Sequence, residues 1–137
     1  MTYTATKYDS IPIPCQPSTL SCHVINSASE TNIPISIPWR NCRLAFAYAV
    51  VVTVIDGDGD MEIDLELNAA SGTEMMSLTI PTASSAVGDI VEATVSSATA
   101  CAKLSREDTG RDAVNIEVDG STTGTGAVML HMFFESD

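Results

Sequence analysis

Hydrophobic and polar positions alternate over much of this chain, and the alternation predicts strands. The run Leu44 to Ile55 is apolar or nearly so throughout, and the acidic glycine stretch Asp56-Gly57-Asp58-Gly59-Asp60 ends it. Met61-Glu62-Ile63-Asp64-Leu65-Glu66-Leu67 then alternates without a fault. Together these read as a long buried strand, a reversal, and a half-buried strand returning beside it. In the first strand Leu44, Phe46, Tyr48, Val50, Val52 and Val54 are expected on one face. Ala45, Ala47, Ala49, Val51 and Ile55 are expected on the other, a thin face that another sheet or chain can approach closely. Alanine at the start of the run suits a helix, but the β-branched residues of 50–55 and the glycines after them favour a strand. In the second strand Met61, Ile63, Leu65 and Leu67 point inward, and Glu62, Asp64 and Glu66 outward.

The pattern continues downstream. Met75 to Ile80 directs Met76, Leu78 and Ile80 inward and stops at Pro81. Gly88 to Val95 reads as one strand, and Ser96 to Gly110 as a long connection, weakly helical at Ala98 to Leu104. Ala113 to Asp119 places Val114, Ile116 and Val118 inward, and Gly120 to Gly126 is a flexible reversal. Ala127 to Glu135 is apolar on both faces, with Met129, His131 and Phe133 opposing Val128, Leu130, Met132 and Phe134. Seven or so strands without a firm helix predict an all-β fold, an antiparallel β-sandwich or jelly-roll-like barrel.

Residues 1–40 differ in texture. Five of the six prolines fall there, in Ile11-Pro12-Ile13-Pro14, Pro17 and Ile33-Pro34-Ile35-Ser36-Ile37-Pro38-Trp39. Proline fixes φ and removes a donor, so this region reads as an extended Pro-rich N-terminal arm, partly strand at Leu20 to Ile25. Residues 41–137 form the β-sandwich domain. Ile11, Ile13, Ile33, Ile35 and Trp39 are the candidate partner-binding residues of the arm, which wraps either its own domain or a neighbouring subunit.

Composition narrows the function. Eighteen acids against six Lys/Arg give a net charge of −12. Such a surface repels nucleic acid and anionic membranes, and it favours solubility and docking on a basic partner. The N-terminus lacks the basic start and apolar core of a signal peptide, and the 44–55 run is shorter than a membrane helix. These features place synthesis in a cytoplasm, where Cys15, Cys22, Cys42 and Cys101 are expected as free thiols. The spacing of Cys15, Cys22 and His23 fits no common zinc module.

Asp56, Asp58 and Asp60 resemble the opening of a calcium loop. Met61 stands where that loop requires glycine, however, and Leu67 where it requires a bidentate glutamate. The stretch therefore reads first as a turn with φ > 0 at Gly57 and Gly59, and these carboxylates are the weak metal candidates. Nucleophilic catalysis needs a histidine base, and the chain offers His23 and His131 alone. His131, between Met129 and Phe133, reads as a packed strand residue. No catalytic residue and no cofactor is expected.

Taken whole, the chain resembles the small decoration or cement proteins of tailed-bacteriophage capsids. The resemblance is one of character: an acidic Ser/Thr/Ala/Gly-rich β-domain, a Pro-rich extended N-terminus and an apolar C-terminal strand after Gly124-Thr125-Gly126. It implies a non-enzymatic structural protein of the virion, seated on the capsid surface as a homotrimer or small cluster, with the major capsid protein as partner. Two other classes stand beside it. One is a carbohydrate-binding β-sandwich module, supported if Trp39, Tyr48 or Tyr8 is exposed beside the acidic turn; a short head or tail fibre component is the alternative within the virion class. The other is a small hydrolase built on a carboxylate pair.

Overall fold

The computed structural model describes residues 18–27, 33–36, 42–68, 72–102, 104, 112–120 and 123–136. The strands are β1 (Ser18–Ile25), β2 (Ile33–Ser36), β3 (Cys42–Asp56), β4 (Met61–Leu67) and β5 (Thr73–Ile80). They continue as β6 (Ile90–Glu92), β7 (Thr94–Val95), β8 (Ala113–Asp119) and β9 (Thr125–Ser136). Among the described residues one helical turn, α1 (Ala98–Cys101), interrupts them. Sheet A runs β1-β9-β3-β6 and sheet B runs β2-β8-β4-β5-β7. Every strand pair is antiparallel. The chain is an all-β sandwich.

The core lies between the sheets. Sheet A contributes Val24, Leu44, Ala47, Ala49, Val51, Ile55, Val128, Leu130, Met132 and Phe134. Sheet B contributes Met61, Ile63, Leu65, Met75, Met76, Leu78, Ile80, Val114, Ile116 and Val118. The thin alanine positions of β3 face this core, opposite bulkier residues of β9 such as Leu130 and Met132. The expected faces of β3 need one correction. Leu44 pairs with Phe134 but Phe46 with Phe133, a shift of one residue at Ala45. That irregularity turns Leu44 inward, while Phe46, Tyr48 and Val50 stay on the outer side.

The expected return of Met61–Leu67 beside the long strand is not found. β3 lies in sheet A between β9 and β6, whereas β4 lies in sheet B between β8 and β5. The Asp56–Asp60 turn therefore carries the chain from one sheet to the other. A glycine turn dictates a change of direction but not which strand is met next. The Gly120–Gly126 stretch likewise links β8 in sheet B to β9 in sheet A.

The 88–95 stretch divides in two. β6 pairs with β3 in sheet A, and β7 pairs with β5 in sheet B. Between them the Ala93 N–H donates to the Ala47 carbonyl at 2.9 Å, and the chain changes sheets there. The expected weak helix reduces to α1, whose N-cap Ser97 accepts from the Ala100 N–H through Oγ at 3.2 Å. Within 1–40, β1 adds a strand to sheet A and β2 adds one to sheet B.

Candidate functional site

Each sheet has an outer face, and the two differ sharply in chemistry. On sheet A the strand registers set side chains into rows across neighbouring strands. Thr19, Phe133 and Phe46 form one row. Ser21, His131, Tyr48 and Glu92 form the next, and His23, Met129, Val50 and Ile90 the third. Ile25 and Ala127 follow in a fourth, where Ala127 pairs with Thr53 and Val52 is the extra residue of a second register shift. Ile90 is 64% exposed, Ile25 60%, Phe46 40% and Val52 39%, values unusual for large apolar side chains gathered on one face.

The centre of this face is aromatic. Phe46 lies 5.8 Å from both Tyr48 and Phe133, and Tyr48 lies 5.8 Å from Phe133, measured between ring centroids. The Tyr48 ring is 4.9 Å from the His131 imidazole. The rings are inclined to one another by 22° to 39°, so they form a faceted cluster rather than one flat platform. Charge on this face is sparse. Arg43 pairs with Glu135 at one end, its Nε donating to Oε2 at 2.9 Å, and Glu92 sits at the β6 edge.

Ser21 Oγ and His131 Nδ1 are 2.7 Å apart, a contact that the sequence reading missed. One hundred and ten positions separate them, and only the β1–β9 register brings them together. A serine beside an imidazole is the first pair of a nucleophilic triad. In a triad, however, the nucleophile meets Nε2 and an acid holds Nδ1. Here serine occupies the acid's position, and the pair reads as a polar link across the sheet.

The outer face of sheet B is acidic. Asp64 on β4 lies opposite Glu117 on β8, and Glu62 lies opposite Asp119. Burial comes first in pushing the Asp64 carboxyl up to about 6, with the charges of Glu74, Glu62, Glu66 and Glu117 adding to it. Glu66, expected outward, is buried. It keeps its register opposite Asn115 of β8 and so its side of β4, covered at the strand end where its Oε2 accepts from the Gly72 N–H at 2.9 Å. Leu67, expected inward, is half-buried at the end of β4.

At the acidic turn, the carboxylates bond to the backbone of the loops. Asp56 Oδ1 accepts from the Gly57 N–H at 2.8 Å, and Asp60 Oδ1 from the Thr82 N–H at 3.0 Å. Asp58 is exposed. Gly57 takes the positive φ (143°), whereas Gly59, expected to share it, does not. Among the described residues no group of three His, Cys, Asp or Glu side chains is placed to hold a metal ion. Cys22, Cys42 and Cys101 are free thiols, and burial pushes the Cys22 and Cys101 thiols up, toward the protonated form.

Of the arm's candidate residues, Ile33 and Ile35 lie on β2, paired with Ile116 and Val114. Ile11, Ile13 and Trp39 fall outside the described residues, as do Tyr8 and Cys15. Tyr48 sits within the aromatic cluster in the middle of β3, away from the Asp56–Asp60 turn.

No family model matches the chain, and no curated protein matches it. Among solved structures, a chain from Desmodium yellow mottle tymovirus is similar, with 14% identity over 91% of this chain and 91% of that one. Its TM-score is 0.33. So loose an overlap carries no argument, and the fold rests on the strand pairing described above.

Proposed function

We propose that this protein is a structural component of a virion, and specifically a decoration or cement protein on the capsid surface of a tailed phage. The observation that supports this reading is the outer face of sheet A, where Phe46, Tyr48, Val50, Met129, His131 and Phe133 gather in contact with solvent. A face of that kind is a surface for another protein. The acidic face of sheet B suits solvent or a basic neighbour. In this reading the domain binds the major capsid protein, assisted by Ile11, Ile13, Ile33, Ile35 and Trp39 of the N-terminal region. Binding the expanded shell in preference to its precursor stabilises the expanded state by mass action, without catalysis. Copies gather in a small cluster, three in the form the sequence resemblance implies.

Mass spectrometry of density-gradient-purified particles from the source culture tests the proposal. The chain should appear in fixed proportion to the shell subunit. Particles that lack it overturn the reading.

The aromatic cluster also gives a carbohydrate-binding module its best support. Rings inclined by 22° to 39° are a poor match for the flat stacking of a sugar chain, which ranks that reading second. Quenching of tyrosine fluorescence by soluble oligosaccharides would favour it.

A further inference from the structure

We infer that the outer face of sheet A is where a second copy of this chain seats. The inference deepens the virion reading and rests on it for biological context only, because the contact between copies is a property of the isolated protein. Three observations carry it. The first is charge. Two copies, each of net charge −12, repel one another over most of their surface. Sheet B directs Glu62, Asp64, Glu74, Glu117 and Asp119 outward. Sheet A directs Glu92 and Glu135 outward, the latter paired with Arg43. The sheet A face is therefore where two copies approach with least repulsion, whereas a basic partner is drawn to sheet B.

The second observation is extent. The four rows, three strands wide at either end and four in the middle, cover about 440 Å², from a strand spacing of ~4.8 Å and a rise of ~3.3 Å per residue. That is over half of one side of a standard interface of about 800 Å². The third is composition. Phe46, Tyr48, Phe133 and Met129 belong to the residue types enriched at the centres of protein interfaces, and they lie at the middle of the face. Arg43, Glu135 and Glu92 form its charged rim, where a polar contact excludes water from the centre.

Light scattering on the full chain across a concentration series tests the inference. The wild type should show a mass at least twice that of one chain. Phe46→Asp, Val52→Asp and Ile90→Asp should each bring it to one chain mass, with near-ultraviolet dichroism retained. Thr79→Asp, at an exposed position on the outer side of sheet B, should leave the mass unchanged. The three face positions are already exposed and lie on two strands, so a variant that fails to fold leaves others to decide.

A wild type that remains a single chain throughout overturns the inference. So does an oligomer whose mass survives all three face substitutions, even if those variants no longer attach to particles, since the face would then meet the shell. Absence of the chain from virions, alongside self-association that the face substitutions abolish, removes the virion reading and leaves this contact standing.

Discussion

The side-chain amide of Asn26 donates to the carbonyl of Asp56 at 3.1 Å, tying the end of β1 to the last residue of β3 across the intervening strand β9. The same amide donates to the Thr125 carbonyl on β9 at 3.2 Å, and the Asn26 side chain is almost wholly buried. Asn26→Ala leaves both carbonyls without that donor and should cost roughly 1–3 kcal/mol in urea denaturation at neutral pH. Asn26→Asp should cost more, because a carboxylate would face two carbonyl oxygens. Its deficit should narrow on acidification, as the buried carboxyl takes up a proton. Equal losses for the two variants at every pH would mean that the amide hydrogens do not matter.

The pH profile of the wild type should carry the mark of Asp64. Its folded carboxyl titrates near 6 against an ordinary value of 3.8, so the native state holds a proton that the unfolded chain has lost between those limits. Stability should therefore fall as pH rises from about 4 to about 6, and level off above. Asp64→Asn removes the titrating group. It should raise the melting temperature at pH 7 and flatten the slope between pH 4 and 6. A profile that keeps its slope in Asp64→Asn would place the repulsion on another member of the acidic face.

Packing between the sheets predicts opposite responses on the two faces of β3. Ala49 pairs with Leu130 in register, and both are fully buried, a small residue beside a large one. Leu130→Ala opens a cavity and should cost roughly 2–5 kcal/mol. Ala49→Leu overfills the gap between sheets and should cost about 1–3 kcal/mol. Val54→Ala, at an exposed position of β3 beyond the outer rows of sheet A, should change stability by no more than about 0.5 kcal/mol. Denaturant midpoints at constant slope measure all three. A tolerated Ala49→Leu would mean that the alanine face does not meet sheet B closely.

Strand identity was legible in the sequence because period-two alternation records which side chains meet the core. Met61, Ile63 and Leu65 are buried as their pattern requires, and Val114, Ile116 and Val118 are too. Sheet membership was not legible. Asp56-Gly57-Asp58-Gly59-Asp60 turns the chain whether the next strand pairs with the last one or crosses to the other layer, and here it crosses. Register shifts were hidden for a similar reason. The extra residue at Ala45 moves Leu44 inward against its parity, and the extra residue Met75 on β5 is buried beside its neighbour Met76. Of the candidate site, the doubly apolar character of β3 and β9 pointed to an outer face that meets something further. The Ser21–His131 contact and the Asp64–Glu117 opposition arise from pairings between distant segments, which no local pattern encodes.

Gly126 marks the corner where β1, β3 and β9 converge. Its φ is 116°, a region that side-chain-bearing residues rarely adopt. A Cβ there would lie 2.5 Å from the Val54 carbonyl oxygen and 2.8 Å from the Ile55 Cα, both backbone atoms. Gly126→Ala should therefore force the backbone of this corner to shift, at a cost on the order of 1–3 kcal/mol. The Gly126 carbonyl also accepts from the Asn26 N–H at 3.0 Å, so that shift disturbs the geometry that the Asn26 amide needs. Gly126→Ala and Asn26→Ala should consequently fail to add. Once the corner has moved, losing the amide costs less, and the double variant should fall short of the sum by more than about 0.5 kcal/mol. A four-variant denaturation cycle measures that difference, and strict additivity would show that Asn26 and Gly126 brace the corner independently.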